Sequence, residues 1–388
     1  MSAIYPPRRG NQVRSAELLN NLGDGWHVDS YSLTFQRTDL PLPRRDHVVS
    51  PSWTDHRIRN PLLIPWVRGL GRAGYPPVFA GRFAALWPHG KLTAAIGRAD
   101  VVMVHPPHHW EWVRSLTPAT VPMVLDEQGI EADMYPARGT RWTRHVAMEV
   151  RRAEAVALRS ADMVIVTADD DAEKARRAGA RDVLLVPNGV DLDQVLVVSP
   201  SDRRELRRRL GLPPARAIGV FVGSGHPPNV AAVEALESRA AAFAAAGLLL
   251  VVVGRSGIGR RPVPNVVHTG EVDAVAPYLG AADIVLCPLS SGSGTSIKAI
   301  ESLASGAPLV STAIGVRGLG LRPGVEVEIC DLDEMPGAVT ALLADPGRMS
   351  EMAQAARKVA ETRFSWRAAG ARAADALDRL VPRRATQG

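Results

Sequence analysis

A run of very small residues separates an apolar strand from an amphipathic helix in LCPLSSGSGTSIKAIESLASGAPLVST, residues 286–312. Because little side chain stands there, the backbone N–H groups of Gly294, Thr295 and Ser296 can approach a ligand closely. A helix that begins near Thr295 places its positive N-terminal end at the same point, which favours an anion. The spacing therefore predicts a phosphate-binding loop.

Two charged residues follow this loop on one face of the predicted helix. Lys298 can reach back toward the same anion as a compact positive charge, and it is one of only four Lys among the 46 basic residues. Glu301 cannot favour a phosphate, so its natural role is to accept hydrogen bonds from a sugar diol. The alternative is a tight glycine turn and an exposed Lys–Glu pair, worth only ~0.3 kcal/mol. Spacing alone leaves both interpretations open.

A second group of polar residues lies nearer the N-terminus. HPPHHWEW, residues 105–112, places His105, His108 and Trp110 just after an apolar strand. Aromatic side chains there could stack on a ligand or simply cap the sheet. Two adjacent His cannot easily share one ion and no acidic ligand spacing accompanies them, so we predict no metal site.

Carboxylates end the next predicted strand. Asp126 and Glu127 close MVLDE, and Glu131 follows in GIE. Any of the three could orient or deprotonate a hydroxyl of a second substrate. A capping role in the fold is an equal alternative for each.

The elements that must position these residues share one local pattern. RADVVMV (98–104), SADMVIV (160–166) and AADIVLC (281–287) each join a helix end, an Asp and a β-branched strand. Uninterrupted apolar strands that alternate with helices predict parallel sheets in an α/β architecture. Further predicted strands of this kind are 123–127, 183–187, 218–223, 248–254, 308–312 and 325–330.

The strands fall into two groups on either side of PNGVD, residues 187–191. Asn188-Gly189 is a turn signal, and a new helix opens at SPSD, residues 199–202. We therefore predict two Rossmann-like, doubly wound domains, 1–192 and 193–363, followed by a C-terminal helix within 364–388. Such sheets bind ligands at the carboxyl ends of their strands, so the two domains are expected to face each other across a cleft.

Composition limits the class of protein. The 388 residues are 46% hydrophobic, which suffices for two cores, and no apolar run is long enough to span a membrane. Two Cys and the absence of a signal-like N-terminus predict a soluble, cytoplasmic protein. A net charge of +6 could attract nucleic acid, but the basic residues are scattered. Their one dense run, RRELRRR (203–209), is predicted to be a solvated helix face.

The stretch GSGTSIKAIESLASGAPLVSTAIGVRGL resembles the donor-binding signature of the retaining GT-B glycosyltransferases of family 4, the glycosyl transferases group 1. Looser matches follow the family order along the chain: PPRRGNQVRSAELL, DVVMVH, VLDEQGIE, VPNGVDL, FVGSGHPPN and LLLVVVG. The resemblance implies the GT-B fold, with a nucleotide sugar held mainly by the second domain and an acceptor held mainly by the first. It also implies that the C-terminal helix, 364–380, crosses back to the first domain.

The resemblance assigns donor-site roles by position. It implies that Glu301 binds the ribose hydroxyls, that the loop from Ser293 to Ser296 binds the diphosphate, and that Lys298 is the cation. Gly223, in GSGHPPN (223–229), falls in the turn after the first donor-domain strand. Three departures stand out: Ser293 replaces a common Glu, Ser296 replaces a common Arg, and GSGHPPN offers only His226 where a basic pair is usual.

The same resemblance covers the first domain more loosely. Gly10 falls at a turn near the donor phosphates, after the short strand MSAIY, and Arg14 is a phosphate or acceptor contact. Acceptor-binding roles are expected for Arg14, His108, Trp110 and Glu131. Catalytic roles are expected for Lys298, Asp126 and His105.

The function implied is retaining, metal-independent transfer of a hexosyl group from a nucleoside-diphosphate sugar to an acceptor hydroxyl. The sugar nucleotide is a co-substrate, UDP- or GDP-linked, and no cofactor is expected. The acceptor is a glycan, a lipid-linked sugar or a natural product; nucleic acid is not a partner, and membrane contact is at most peripheral.

Two alternatives stay open, a nucleotide-sugar epimerase and a catalytically silent nucleotide-sugar-binding subunit. A Rossmann dehydrogenase is disfavoured because no strand leads into a full G-x-G-x-x-G followed by an acid ~20 residues later.

Overall fold

The structure of the chain is a computed structural model, and it describes residues 4–7, 10–33, 46–58, 69, 89–134, 140–292 and 294–381. The chain divides into two compact units. The N-terminal unit runs through Pro187 and resumes at Arg367, while the C-terminal unit is Asn188–Trp366. The predicted boundary near residue 192 lies just beyond the first of these divisions.

The N-terminal unit begins with a small sheet that the sequence patterns do not predict. Its strands are β1 (Val28–Leu33), β2 (His47–Ser50) and β3 (Trp53–Ile58), with β3 parallel to β1 and antiparallel to β2. Of the predicted strand MSAIY, residues 1–3 lie outside the described ranges. Ile4 and Tyr5 form a bend instead of a strand, and the Tyr5 ring stacks 5.0 Å from the ring of His47.

The main sheet of this unit is parallel and four-stranded, in the order β4-β5-β6-β7. The strands are β4 (Val102–Val104), β5 (Met123–Glu127), β6 (Met163–Val166) and β7 (Val183–Leu185). The helices through β7 are α1 (Gly10–Asn20), α2 (Gly90–Ile96), α3 (Trp110–Leu116), α4 (Arg141–Ser160) and α5 (Asp169–Arg177), with 3₁₀ turns at Pro107–His109 and Glu131–Met134. The apolar strands predicted here are present, and the two central ones, β5 and β6, are buried along their whole length.

The C-terminal unit holds one six-stranded parallel sheet in the order β10-β9-β8-β11-β12-β13. Its strands are β8 (Ala217–Val222), β9 (Leu248–Val253), β10 (Val266–Gly270), β11 (Ile284–Cys287), β12 (Leu309–Ser311) and β13 (Glu328–Ile329). This is the strand order of dinucleotide-binding folds. The chain lays down strands toward one edge of the sheet from β8 and toward the other edge from β11, so the switch point lies between these two strands. A ligand crevice is therefore expected at the carboxyl ends of those two strands.

Helices cover both faces of this sheet around a core built from its apolar strands. They are α6 (Pro200–Arg209), α7 (Pro227–Glu237), α8 (Ala240–Ala245), α9 (Ala276–Ala281), α10 (Ile297–Ala304), α11 (Met335–Leu343) and α12 (Pro346–Arg363), with a 3₁₀ turn at Arg255–Gly257. The last helix, α13 (Trp366–Leu380), belongs to the N-terminal unit from Arg367 onward. There a Cβ on Gly370 would collide with the backbone of Asn21, so only glycine fits.

The Ala-Asp pattern before the strands has a structural explanation. The Asp162 carboxylate accepts a hydrogen bond from the N–H of Met123 at 2.7 Å, and Asp283 accepts one from Ile218 at 2.8 Å. Each Asp thus satisfies an amide at the start of the neighbouring strand, which would otherwise be buried without an acceptor.

The prediction that RRELRRR is a solvated helix face is wrong for one of its arginines, which bonds to Asp283. Arg207 is buried, and its guanidinium donates to Asp283 at 2.6 Å and to the carbonyl of Ala281 at 2.8 Å. The run therefore mixes one buried anchor with exposed arginines, because its helix packs against the chain just before β11.

Candidate functional site

The predicted phosphate loop lies at the switch point of the C-terminal sheet. It connects the end of β11 at Cys287 to α10, which begins at Ile297. The Ser296 hydroxyl caps the helix by accepting a hydrogen bond from the N–H of Ala299 at 3.3 Å. Gly294 has φ of 63°, a left-handed conformation that favours glycine. Ser293 lies outside the described residues, so its predicted role remains a prediction.

The carbonyl oxygens of the loop are held from behind. Arg317 donates to the carbonyls of Gly292 and Gly294, both at 2.7 Å. Asn188 donates to the carbonyl of Thr295 at 3.1 Å and to its hydroxyl at 2.9 Å. These bonds fix the loop through its acceptors.

The donors of the same loop are left unpaired. Within the described part of the chain, the N–H groups of Gly294, Thr295 and Ser296 find no protein acceptor. Amide donors without an acceptor at a helix N-terminus favour an anion. The role of these three residues in binding a diphosphate stays a prediction.

Sequence reasoning missed the two residues that hold the loop. Arg317 lies inside the stretch that carries the family resemblance, but nothing marks it as different from the other 41 arginines of the chain. Asn188 was interpreted as a turn residue, yet its side chain is buried. A buried Asn must satisfy its amide, and here it does so on Thr295.

Lys298 joins the two sides of the switch point. Its ammonium donates to the side-chain oxygen of Asn229, in the first turn of α7, at 2.7 Å. The Asn229 amide nitrogen in turn donates to the hydroxyl of Ser224, which follows β8, at 2.9 Å. Because the Ser224 oxygen already accepts a bond, its hydrogen can point to a ligand. Ser224 and Asn229 are thus site residues that the sequence analysis did not identify.

Glu301 is half-buried one turn along α10 and makes no hydrogen bond to any described residue. Burial raises the pKa of its carboxyl to about 7, against the opposing effect of the Lys298 charge. Burial also lowers the pKa of Lys298, while the charges of Cys287 and Glu301 act to raise it. An unpaired carboxylate acceptor beside an anion site suits a sugar diol.

Gly223 lies in a crowded turn after β8. Its N–H donates to the carbonyl of Val253 at 2.9 Å, and its carbonyl accepts from the N–H of Ser256 at 3.1 Å. A Cβ at this position would stand 2.8 Å from the ring of Phe221. The N–H of Gly223 is therefore used inside the fold, and its predicted donor contact stays a prediction.

In the N-terminal unit, Arg14 and Asp126 form a buried ion pair. The guanidinium of Arg14 donates to one Asp126 oxygen at 3.2 and 3.0 Å and to the carbonyl of Val186 at 3.0 Å. Gln128 donates to the other Asp126 oxygen at 2.8 Å. Burial acts to raise the pKa of Asp126, but Arg14, His105 and Gln128 outweigh it and lower that pKa. Asp126 is therefore a weak base whose oxygens are occupied.

His105 is better placed to act on a substrate. Its Nδ1 lies 3.0 Å from the backbone carbonyl of Asp126, so Nδ1 carries the hydrogen and Nε2 carries the lone pair. Burial lowers the pKa of His105, despite the nearby charges of Asp126 and Glu131. The ring is consequently neutral near pH 7 and can accept a proton.

Glu131 pairs with the second predicted histidine. Nδ1 of His108 lies 3.5 Å from a carboxylate oxygen of Glu131. Burial acts to raise the pKa of Glu131, but the hydrogen bond and charge of His108 and the charge of His105 lower it overall. Glu154 fixes this segment by accepting the N–H of Glu131 at 2.5 Å. Glu131 is thus a charged acceptor beside His108.

Two other N-terminal predictions fare differently. Trp110 is completely buried in the core, and its indole N–H donates to Ser160 at 2.7 Å. No face of that ring is left for an acceptor, so the predicted acceptor contact is corrected to a packing role. Gly10 is exposed and begins α1, and its predicted donor contact stays a prediction.

Glu127 is an unpaired carboxyl. It is fully buried with no hydrogen bond at either oxygen, and burial followed by the charge of Glu154 raises its pKa well above the usual value. Burial of this kind favours the neutral form of the carboxyl, which makes Glu127 a poor choice for a charged contact.

Within the described ranges, no three His, Cys, Asp or Glu side chains converge as a metal site requires. None of the described helices has both the length and the apolar character needed to cross a bilayer.

Both the N-terminal and the C-terminal part of the chain match known family models. The model described as "Glycosyl transferase 4-like domain" matches residues 13–189, and the model described as "Glycosyl transferases group 1" matches residues 216–361. A D-inositol 3-phosphate glycosyltransferase of Actinosynnema mirum is 33% identical over 223 residues, covering 52% of this chain and 49% of that protein. The chain spans about half the length of the curated relatives it matches.

Solved structures share the fold. Sucrose-phosphate synthase from Thermosynechococcus elongatus matches with a TM-score of 0.73 at 20% identity, over 96% of this chain and 94% of the other. HepE of Anabaena in complex with UDP-glucose matches with a TM-score of 0.59 at 19% identity, over 76% and 84%. The fold is GT-B, as predicted, and the N-terminal and C-terminal parts of the chain each match a glycosyltransferase family model.

Proposed function

We propose that the chain transfers a hexosyl group from a nucleoside-diphosphate sugar to an acceptor hydroxyl, with retention of configuration. One observation carries the proposal: at the switch point of the C-terminal sheet, one loop and the first two turns of α10 hold three amides and a carboxylate without a described partner, together with one ammonium. The amides of Gly294–Ser296 and Lys298 suit a diphosphate, and Glu301 suits a ribose diol.

The donor is UDP- or GDP-linked in this proposal. Support comes from HepE, a fold neighbour whose structure contains UDP-glucose. The hydroxyl of Ser224 adds a donor beside Lys298, because its oxygen is already occupied by Asn229. These two groups take the place of the basic pair that GSGHPPN lacks.

The chemistry follows from where negative charge develops. As the bond between the sugar and the diphosphate breaks, its electron pair leaves with the phosphate oxygen. Donors already aimed at that position stabilise the departing charge without reorganisation. The acceptor hydroxyl then attacks the same face of an oxocarbenium-like centre, which gives retention.

Metal independence is part of the proposal. Lys298 and the N-terminus of α10 neutralise a diphosphate in the way that a divalent ion does elsewhere. On the acceptor side, we assign proton acceptance to the neutral His105 and hydroxyl orientation to Glu131 and His108. Arg14 and Asp126 hold this cluster in place.

A two-stage experiment tests the function. A thermal-shift panel of UDP, GDP, ADP and dTDP should identify one stabilising nucleotide, and the matching sugar nucleotides should then be turned over with pooled acceptors. NMR of the product should show the donor's anomeric configuration. Turnover to an epimeric sugar nucleotide without acceptor would replace the proposal with an epimerase, and binding without any turnover would replace it with a silent subunit.

A further inference from the structure

Helix α4 (Arg141–Ser160) carries a second charged feature, unrelated to the nucleotide site. Its apolar face packs inward through Val146, Ala147, Val150, Ala157 and Leu158. Every charged residue that it exposes is an arginine, and these are Arg141, Arg144, Arg151, Arg152 and Arg159. We call these five residues the arginine stripe.

The stripe is narrow and straight. At ~100° per residue, the five arginines together with His145 fall within an arc of about 120°, and at ~1.5 Å per residue they extend over about 27 Å. Met148 lies inside that arc and is 59% exposed. The exposed face of the helix is therefore a narrow row of cationic side chains with one apolar side chain, Met148, among them.

No acid among the described residues forms an ion pair with the stripe. None of its arginines forms an ion pair with a described residue, whereas exposed arginines elsewhere do, such as Arg177 with Glu173 and Arg208 with Glu205. Of the two acids of α4, Glu154 is buried and accepts the backbone N–H of Glu131, and Glu149 is half-buried outside the arc of the stripe. Five unpaired cations on one face favour an extended anionic surface.

We propose that the arginine stripe is a docking surface for an anionic lipid bilayer. A helix that lies flat on a membrane presents cations to the headgroups and a few apolar side chains to the acyl boundary. Met148 between the arginines fits that arrangement. Nucleic acid is a poorer match, because the exposed arc contains no Phe, Tyr or Trp on which a base could stack.

Vesicle flotation of the full chain tests the proposal. Vesicles of phosphatidylcholine with 30% phosphatidylglycerol should bind the protein, and vesicles of pure phosphatidylcholine should not. Arg144→Gln/Arg151→Gln/Arg152→Gln should reduce the partition coefficient about 100-fold, since each cation near such a surface contributes roughly a fivefold factor. The Arg→Lys version of the triple variant should bind nearly as well, because charge is retained.

A matched control separates the stripe from overall charge. Arg204→Gln/Arg208→Gln/Arg209→Gln removes the same charge from exposed positions on α6, so it should leave vesicle binding within about twofold. Equal loss in both glutamine variants, with matched circular dichroism, would overturn the proposal. So would no vesicle binding by the wild type, or stripe-dependent binding to RNA without binding to vesicles.

Discussion

The polar groups of the two units are arranged in opposite ways. In the C-terminal unit, the amides of Gly294–Ser296 and the carboxylate of Glu301 have no protein partner among the described residues. In the N-terminal unit, Arg14, Asp126 and Gln128 satisfy one another at 2.8–3.2 Å. Polar groups without a protein partner, fixed in position by their neighbours, are available to a ligand. Polar groups that bond to one another stabilise the fold instead.

The largest expected effect concerns the mutually paired groups of the N-terminal unit. Arg14→Met leaves Asp126 buried without its cation, so the free energy of unfolding should fall by about 3–5 kcal/mol. Urea unfolding followed by tryptophan fluorescence reports on this unit, since seven of the eight Trp precede Pro187. Arg98→Met, at an exposed position, should change stability by less than ~0.5 kcal/mol. Equal stability of the two variants, with activity lost only for Arg14→Met, would make Arg14 a ligand contact.

The next largest effect concerns Lys298, beside the phosphate loop of the C-terminal unit. Lys298→Ala should lower kcat/KM by at least ~100-fold, because its interaction strengthens as charge develops on the leaving diphosphate. Lys298→Arg should restore activity only in part, since a planar fork must fit beside the Asn229 side chain. Lys358→Ala, which removes an exposed lysine, is the control. A donor-saturation series at matched melting temperatures measures all three, and wild-type kinetics for Lys298→Ala would reduce the motif to a turn before a surface helix.

Glu301 should respond to both substitution and pH. Glu301→Ala should weaken nucleotide binding by ~2–3 kcal/mol, because charge-assisted hydrogen bonds are lost from the complex only. With its pKa at about 7, the carboxyl gains a proton as pH falls from 8 to 6, so wild-type affinity should drop by up to about tenfold. Calorimetry of Glu301→Gln controls for titration of the nucleotide, and its affinity should show no such extra loss.

The same raised pKa has a consequence for stability. A carboxyl whose pKa is higher in the folded state stabilises the ligand-free fold at low pH, and that contribution disappears as pH rises through 7. Glu301→Gln should therefore raise the melting temperature at pH 8 but not at pH 5. An equal shift at both values would show that Glu301 is not buried enough to titrate near neutrality.

A smaller effect tests the frame of the phosphate loop. Arg317→Ala frees the carbonyls of Gly292 and Gly294, so the three amides should lose their fixed direction and kcat/KM should fall about tenfold. The KM for donor should rise, because ground-state binding uses the same amides. Arg261→Ala, at an exposed position, should be neutral in this assay. Unaltered donor kinetics for Arg317→Ala would mean that the loop keeps its conformation without the hydrogen bonds from Arg317.

The smallest effect concerns divalent ions. If Lys298 and the end of α10 neutralise the diphosphate, EDTA should leave activity unchanged within about twofold, and Mg²⁺ or Mn²⁺ should add little. Loss of most activity on chelation, with recovery in Mn²⁺, would contradict this mechanism.

The sequence predicted the sheets of both units better than their polar side chains. Long apolar strands such as β9 can be recognised because both faces are buried. The strands β1 and β3 were missed because VDSYSL and WTDHRI mix polar and apolar residues and belong to a small separate sheet. Local patterning carries little information about such strands.

Side-chain roles were predictable only where they depend on local spacing. Lys298 and Glu301 lie one turn apart on α10, so their common placement follows from helix geometry. The burial of Arg14 depends on Asp126, far along the chain, and the burial of Trp110 depends on Ser160. A single sequence does not reveal such distant pairs, because an Arg or a Trp on a helix can equally face solvent.

The division of the chain bears on its synthesis. The C-terminal unit, Asn188–Trp366, is one uninterrupted segment, whereas the N-terminal unit needs the stretch from Arg367 onward, where Gly370 packs against the backbone of Asn21. On the ribosome, the C-terminal unit can therefore complete its fold while the unit made before it still lacks α13. The first part of the chain to be translated is the last to be finished.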